Sequence, residues 1–238
     1  WLADKRHPLT SRVMVNRIWQ WHFGMGLVDT PDNFGKLSTP PADPLLLDWL
    51  ASELMRNGWS MKHLSRQILL STVFRGRVRR AHDKKLDKVP LALRIAYRFP
   101  RQRMSAEQLR DSLLFSADLL DLQMHGSLMK LKPREYVNSA KTGAHLITYN
   151  NNRRSVYQPV IRHKVYSLFQ TFDFPNPSLV NGKRASTTVP PQMLLMMNGK
   201  LVADASAGFA DWVLRNAKTT NARIKLAYSI AYSRSADD

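Results

Sequence analysis

The fold is decided by the stretch Asp43-Pro44-Leu45-Leu46-Leu47-Asp48-Trp49-Leu50-Ala51-Ser52-Glu53-Leu54, which carries each local signal of an amphipathic helix. Asp43 is a suitable N-cap, and Pro44 fits the first helical position, where its missing N–H has no partner to lose. Leucines at positions 46, 47, 50 and 54 form one apolar face, and Gly58 follows where a left-handed C-cap belongs. The stretch therefore predicts a helix that packs against a core.

Helical spacing of apolar residues recurs along most of the chain, with Thr10 and Ser11 as expected N-caps of the first helix and Ser105 with Gln108 as a capping box. Residues 27–41 are expected to form an ordered loop, and residues 123–160 to be irregular with a short extended segment near 156–161. The predicted helices span residues 10–23, 44–57, 60–72, 105–120, 190–197, 200–214 and 221–231. We therefore predict a mainly α-helical single domain over residues 1–238, with a loop-rich middle and at most a short β element.

Length and composition allow this domain a core of its own. The chain has 238 residues, of which 44% are hydrophobic, and this content argues against disorder. No apolar run approaches the roughly 20 residues that a membrane-spanning helix needs, so no membrane span is expected. The chain begins at Trp1 without a signal-peptide pattern, and we expect it to be a piece of a larger multidomain protein.

The sequence carries no recognisable catalytic or metal motif. It has no Cys, which excludes disulfides, thiolate zinc sites, cysteine nucleophiles and a covalently attached c-type haem within this stretch. Its seven His residues never lie three to five positions apart, so no metal site is predicted. Serine nucleophile elbows, phosphate loops and dinucleotide fingerprints are absent as well. The sequence alone leaves open whether the protein is an enzyme.

Positive charge is the strongest bulk property of the chain. The net charge is +18, and residues 75–103 hold eleven Lys or Arg against two Asp, which places +9 in this segment alone. Such a segment attracts polyanions such as nucleic acid or sulfated glycan, although a solvated basic face that binds anions without specificity is the preferred interpretation. The polyanion-binding candidates are Arg77, Arg79, Arg80, Lys84 and Lys85.

Polar residues from several regions are candidates for a ligand site. Guanidinium, hydroxyl and amide groups of this kind bind carboxylates, phosphates or sugar hydroxyls. The alternative is structural: buried arginines would tie irregular loops to unpaired carbonyls, the acids near Arg110 would form a salt-bridged face, and His22 would cap its helix instead of serving as a base or axial ligand. The candidates are Asn16, Arg17, His22, Asp29, Asp32, Arg110, Asp111, Arg153, Arg154, Tyr157, Arg184, Thr188 and Gln192.

Several sequence blocks together resemble one known family. They are Asn16–Gly26, Val28–Gly35, Leu46–Ala51, Ala106–Ser112, Asn152–Tyr157, Phe172–Pro175 and Thr188–Gln192 with Met196-Met197-Asn198. In this order they resemble a planctomycete-type domain of unknown function that lies at the C-terminal end of exported proteins carrying planctomycete cytochrome c domains. The resemblance covers nearly the whole chain.

The resemblance implies a cellular context more than a chemistry. It implies an exported, periplasmic or cell-surface polypeptide, haem c on another domain as a partner, no cofactor within this chain, and a link to polysaccharides. We therefore expect an accessory or binding module. One alternative is a hydrolytic or oxidative enzyme acting on polysaccharide, with a pocket between residues 16–35 and 152–192. The other alternative is polyanion binding through the basic 75–103 segment.

Overall fold

The computed structural model describes residues 1–75, 102–129, 149–162 and 164–236. The chain forms two compact units, Trp1–Gln102 and Arg103–Asp238. Within the described residues, all regular structure is helical apart from one parallel β-bridge between Asp121 and Arg153. The mainly α-helical prediction is therefore confirmed, whereas the prediction of a single domain stays a prediction.

In its described residues, the first unit is built on four helices and one long loop. Its helices are α1 (Thr10–Phe23), α2 (Pro44–Arg56), α3 (Met61–Leu70) and α4 (Thr72–Arg75). Their inner faces and the loop between α1 and α2 share one core, and burial of this apolar surface is the main force that holds the unit together. The buried core residues are Val15, Ile18, Trp19, Phe23, Leu27, Val28, Leu47, Leu50, Ala51, Leu54, Leu64 and Ile68.

The predicted boundaries of α1 and α2 are confirmed where local capping chemistry determines them. The Asp43 carboxylate accepts a 2.9 Å hydrogen bond from the amide of Leu46 and thereby caps α2. Gly24 ends α1 in the left-handed region at φ 77°, and Gly58 follows α2 with φ 63°. These caps act within three residues of the helix end, which is why the sequence alone reveals them.

The predicted N-cap of α1 is wrong. Thr10 is the first helical residue, and neither Thr10 nor Ser11 provides a side-chain cap. Instead, Nδ1 of His7 accepts hydrogen bonds from the amide of Thr10 at 3.2 Å and from its hydroxyl at 2.9 Å. The imidazole therefore caps the start of α1, as a Ser or Thr hydroxyl usually does.

The helix predicted over 60–72 is divided by a serine. Ser60 caps α3 as expected, because its hydroxyl accepts from the amide of His63 at 3.2 Å. At the other end, the Ser71 hydroxyl donates to the carbonyl of Ile68 at 2.6 Å and accepts from the amide of Phe74 at 3.3 Å. Ser71 thus ends α3 and begins α4, because its side chain competes with the helical backbone bonds.

The second unit combines longer helices with irregular chain. Its elements are α5 (Ala106–Ser116), a 3₁₀ turn (Ser155–Tyr157), α6 (Ser167–Thr171), α7 (Pro190–Asn198), α8 (Lys200–Asn216) and α9 (Thr220–Tyr232). Helix α8 contacts α5, α7 and α9. Both halves of the predicted Ser105–Gln108 capping box are present at the start of α5. A small core of Ala106, Leu168 and Phe169 packs with the aromatic residues around α6.

The extended segment expected near 156–161 is wrong at its start. The amide of Tyr157 bonds to the carbonyl of Arg154 at 2.9 Å, and that of Gln158 bonds to the carbonyl of Ser155 at 3.0 Å. These short-range bonds close a tight turn. The β-bridge lies instead at Arg153, just before that turn.

Candidate functional site

The candidate residues fall into the two units. The first unit holds Asn16, Arg17, His22, Asp29 and Asp32, whereas the second holds Arg110, Asp111, Arg153, Arg154, Tyr157, Arg184, Thr188 and Gln192. The pocket predicted between residues 16–35 and 152–192 draws on both units and stays a prediction. The polyanion-binding candidates Arg77, Arg79, Arg80, Lys84 and Lys85 lie outside the described residues.

Asn16 anchors the loop between α1 and α2. Its side chain is fully buried, donates to the carbonyl of Val28 at 3.0 Å and accepts from the amide of the same residue at 2.8 Å. Gly26 lies against this amide, since a Cβ there would sit 2.7 Å from Asn16 Nδ2 and 2.6 Å from the Val28 carbonyl oxygen. Asn16 therefore holds backbone rather than facing a ligand.

The other candidates of the first unit have local roles. Arg17 Nη2 forms an ion pair with Asp32 Oδ1 at 3.1 Å, and both side chains are more than one third exposed. Nδ1 of His22 lies 2.7 Å from the carbonyl oxygen of Ile18, one turn back in α1. This contact fits the capping alternative for His22. Asp29 is exposed on the loop surface.

Arg110 is a buried arginine at the centre of the second unit. Its side chain is 1% exposed and donates from Nη1 to the carbonyl of Arg153 at 2.7 Å, and from Nη2 to the carbonyl of Asn151. Burial lowers the pKa of Arg110, while Tyr166 and Asp111 act in the opposite direction. Arginine keeps its proton even so. The charge is therefore used to hold two backbone carbonyls that lie more than 40 residues away in the sequence.

Asp111 completes this arrangement from the next position of α5. Its Oδ1 accepts from the Ser155 amide at 2.8 Å and from the Ser155 hydroxyl at 2.6 Å, and lies 3.6 Å from Nη1 of Arg110. A carboxylate that accepts two hydrogen bonds beside a guanidinium is well compensated for partial burial. Together, Arg110 and Asp111 fasten the chain over residues 151–155 to α5.

Arg153 reaches the other way and holds a second loop. Its Nη2 donates to the carbonyls of Gln123 at 2.8 Å and His125 at 2.6 Å, and its guanidinium lies 4.3 Å from the centre of the Tyr157 ring. The hydroxyl of Tyr157 accepts from the amide of His125 at 3.3 Å. Since Arg153 is only 8% exposed, the structural alternative applies to it as it does to Arg110.

The side chains of residues 151–156 alternate between the interior and the solvent. Arg153 and Ser155 are buried, whereas Asn152, Arg154 and Val156 are exposed. The side chain of Arg154 makes no hydrogen bond or ion pair within the described part of the chain, and only its backbone carbonyl is bonded, to the amide of Tyr157. We call the outward side of Asn152, Arg154 and Val156 the 152–156 face. Of the two neighbouring arginines, the fold uses Arg153 and presents Arg154 to solvent.

Arg184 belongs to an ion pair on the same unit. Its Nη1 lies 2.7 Å from Oε2 of Glu107, and its guanidinium lies 5.3 Å from the centre of the Phe174 ring. Burial raises the pKa of the Glu107 carboxyl, but hydrogen bonds, with that from Arg184 foremost, outweigh this effect and the net pKa is lowered. Arg184 therefore ties its loop to the first turn of α5.

Gln192 and Thr188 are drawn into a cluster around Arg103. Gln192 is 3% exposed and donates from Nε2 to the carbonyl of Thr171 at 2.9 Å, while its Oε1 accepts from Arg103 at 2.8 Å. Arg103 also lies 3.3 Å from the hydroxyl of Thr188. The start of α7 is thus tied to the end of α6 by a buried amide.

The sequence analysis missed several members of these clusters. The most instructive is Ser155, which lies within the Asn152–Tyr157 block but was not singled out. Asn151 and Gln158 flank that block and pair their amides at 2.7 and 3.2 Å. A polar stretch has no apolar period to show which residues face inward. Every second residue of this stretch, Asn151, Arg153 and Ser155, takes part in these contacts. This alternation could have identified them, but it becomes visible only once the burial of each residue is known.

No group of three or more His, Cys, Asp or Glu in residues 1–75, 102–129, 149–162 and 164–236 is placed to hold a metal ion. No helix in these ranges is long and apolar enough to cross a membrane.

Comparison with known families gives one match. The model of PSD1, a protein of unknown function (DUF1553), matches residues 1–238. The chain belongs to the PSD1 (DUF1553) family. No curated protein and no solved structure was found to match it. The family resemblance inferred from the sequence blocks is thereby supported at the level of a domain of unknown function. Membership of PSD1 names no activity, so function has to be argued from the residues themselves.

Proposed function

We propose that this PSD1 domain is an accessory module that binds acidic groups of polysaccharides through the 152–156 face. The observation that carries the proposal is the contrast between two adjacent arginines. Arg153 is buried and bonded to loop carbonyls, whereas Arg154 is exposed. The backbone that carries Arg154 is already held by the fold, so binding would not have to order it, which favours affinity.

The chemistry of the face fits a sugar acid. Arginine binds carboxylate and sulfate oxygens through a planar pair of donors, and it does so better than a lysine ammonium. The exposed amide of Asn152 can donate to and accept from hydroxyl groups, and Val156, which is 73% exposed, offers an apolar contact. Asn152 and Arg154 precede the 3₁₀ turn and flank the β-bridge residue Arg153, and alternate residues of an extended chain lie about 7 Å apart, so one ligand can reach both side chains together.

The backbone beneath the face is held from two sides. Arg110 and Asp111 fasten it to α5, and the amide of Asp121 donates to the carbonyl of Asn152 at 2.9 Å. A site on such a support keeps its geometry without a ligand. The net charge of +18 adds long-range attraction for anionic chains.

The cellular part of the proposal rests on the family resemblance. It comprises an exported or cell-surface location, a planctomycete-type parent polypeptide, and a cytochrome c domain elsewhere in that polypeptide as the partner that holds haem. A c-type haem is attached through cysteines, and this chain has none, so the haem would need another part of the polypeptide.

The test is a binding titration of the chain with neutral, uronate-containing and sulfated polysaccharides at low and high salt. The decisive variant is Arg154→Ala, and Arg162→Ala is its matched control, because Arg162 is also an exposed arginine outside the 152–156 face. Arg153 is unsuitable, since its truncation would release the carbonyls of Gln123 and His125. We expect Arg154→Ala to weaken uronate binding about tenfold or more, as for a lost charge-assisted hydrogen bond.

Three results would overturn the proposal. One is equal weakening by Arg154→Ala and Arg162→Ala. The second is binding to sulfated chains alone that disappears in high salt, which would reduce the function to charge and favour the basic 75–103 segment. The third is release of new reducing ends from a polysaccharide by the purified chain, which would make it an enzyme.

A further inference from the structure

Helix α3 has an unusual outer face. Its inner residues Leu64 and Ile68 are buried in the core of the first unit. On the outer side, an open depression of about 600 Å³ is lined by α3 side chains, among them Lys62, Arg66 and Leu70. We call this surface the α3 depression. A helix at the surface of a globular unit normally has a polar outer side, so apolar residues here need an explanation.

The apolar part of the depression is substantial for so short a helix. Met61 is 50%, Leu69 41% and Leu70 57% exposed, and all three belong to the lining. Positions 61, 65 and 69 form one ridge along α3, and positions 62, 66 and 70 form the next, because residues four apart lie on the same side of a helix. The groove between such ridges accepts the ridge of another helix.

The charged side chains of the depression are both cationic, Lys62 and Arg66. Lys62 and Arg66 are four residues apart on the same side of α3, and neither side chain makes a hydrogen bond or an ion pair within the described residues. No Asp or Glu belongs to the described lining, which also includes His63. Like charges at this spacing destabilise an isolated helix. Acidic side chains of a bound partner would remove that repulsion, and leucines of the same partner would cover the apolar ridge.

We propose that the α3 depression docks an acidic amphipathic helix from a partner protein. Leu, Ile or Met residues of that helix lie along the Met61–Leu69 ridge, and its Glu or Asp residues pair with Lys62 and Arg66. This is the helix-in-groove mode of recognition, read as anchors at i, i+3 and i+4. A lipid surface is a poorer fit, because membrane-binding helices present one wide apolar face, whereas here cations divide the apolar residues.

The first experiment uses the full chain and synthetic probes. Four fluorescently labelled 18-residue peptides serve as probes. In each peptide, pairs of Glu alternate at helical spacing with pairs of one apolar residue, which is Leu, Ile, Phe or Met. Binding is followed by fluorescence anisotropy. We expect at least one peptide to bind with micromolar affinity that weakens in high salt. Lys62→Glu with Arg66→Glu should weaken it tenfold or more, and Leu69→Ser with Leu70→Ser should weaken it in a salt-independent way.

A charge exchange makes the result specific. The Lys62→Glu and Arg66→Glu double variant should gain affinity for the peptide in which each Glu is replaced by Lys. The matched control, Lys5→Glu with Lys36→Glu, changes two exposed cations of the same unit by the same total charge and should leave peptide binding unchanged. Lys62→Glu lies in the first turn of α3, where an acidic side chain is favourable for the helix dipole, and Arg66→Glu lies on the exposed side of the helix, so the double variant should fold; circular dichroism checks this.

The proposal is overturned if no peptide binds, or if the two charge-reversed double variants weaken binding equally. It is also overturned if vesicles of anionic lipid bind through Lys62 and Arg66 while the peptides do not. Polysaccharide binding, measured on the same variants, should be unaffected, because the 152–156 face belongs to the other unit. Failure of this inference and failure of the proposed function are therefore distinguishable.

Discussion

Two irregular regions of the molecule are ordered by opposite means. The loop between α1 and α2 buries Leu27 and Val28 in a hydrophobic core and needs one neutral amide, that of Asn16, to pair the backbone beside them. The chain over residues 151–155 is polar, and the guanidinium of Arg110 pairs its carbonyls instead. Buried backbone groups have to be paired in either case. The composition of a loop therefore decides which kind of side chain is needed to anchor its backbone.

Loss of the Asn16 anchor and loss of the Arg110 anchor have different consequences. An amide is neutral, and its loss leaves one donor and one acceptor of Val28 without partners. A buried arginine serves several carbonyls and carries a charge whose removal from water must be compensated. The arginine-held region should therefore depend more strongly on its single anchor than the amide-held region does.

The largest effect is expected for Arg110→Met, which keeps the volume of the side chain and removes its donors. The carbonyls of Asn151 and Arg153 would lose the hydrogen bonds from Arg110, and the Arg153 carbonyl would keep only a 3.4 Å bond from Nε2 of Gln158, at about 1–3 kcal/mol for each buried group. We expect the free energy of opening to fall by about 3 kcal/mol or more, measured by native-state hydrogen exchange of the amides in α5 and residues 151–158. Arg154→Met is the matched control and should change it by less than about 0.5 kcal/mol. Equal effects of the two variants would remove the contrast between the buried and the exposed arginine.

A smaller effect is expected for Asn16→Ala in the first unit. The amide and carbonyl of Val28 would both lose their partner, which should lower the free energy of unfolding by about 2 kcal/mol. Urea denaturation followed by tryptophan fluorescence reports on this unit, because five of the six Trp residues lie in it. The neighbouring Arg17→Ala breaks only an exposed ion pair and should change stability by about 0.5 kcal/mol or less. A loss for Asn16→Ala greater than that for Arg110→Met would reverse the comparison.

The smallest effect concerns acid sensitivity of the segment between α6 and α7. Asp173 accepts from the amide of Thr187 at 2.7 Å and from its hydroxyl at 2.8 Å, and the hydrogen bond from this amide is the main cause that lowers the pKa of Asp173 below its ordinary 3.8. Because the folded pKa is depressed, the carboxylate adds stability above pH 3.8 that is lost as the pH falls through the lower folded value. Hydrogen exchange of residues 171–192 should accelerate in that window.

The matched variant for this effect is Asp173→Asn. It keeps the shape and cannot titrate, so the acceleration below pH 4 should be reduced, whereas exchange in the loop between α1 and α2 should be unchanged. An unaltered pH profile in Asp173→Asn would assign the acid sensitivity to other carboxylates, of which Glu107 also has a lowered pKa.

Helix boundaries were predictable where the deciding interaction is local. Asp43, Ser60 and Ser105 each cap a helix through an amide three residues ahead. The predicted N-cap of α1 was wrong because the His7 imidazole takes the place of a hydroxyl cap, and residue preferences at helix ends do not suggest histidine there. Ser71 was missed for a similar reason, since its hydroxyl serves two helices at once.

The position of Arg110 shows how far helical periodicity alone can go. Ala106, Arg110 and Leu114 are four residues apart and all three are buried, so the burial of this arginine fits the helical period, although the sequence had suggested a salt-bridged face or a ligand site for it. A buried charge is improbable without partners. Those partners belong to a segment more than 40 residues away, and nothing in the local pattern identifies them.

The sequence by itself determined that the chain is mainly helical, where most of its helices begin and end, and which blocks mark it as a PSD1 domain. It also supplied a list of candidate polar residues, Arg110, Arg153 and Arg154 among them. Only the tertiary structure decided which of them are used up internally and which, like Arg154, face solvent. The physical reason is that helix signals act over one turn of chain, whereas burial and hydrogen-bond partners arise from contacts between residues far apart in the sequence.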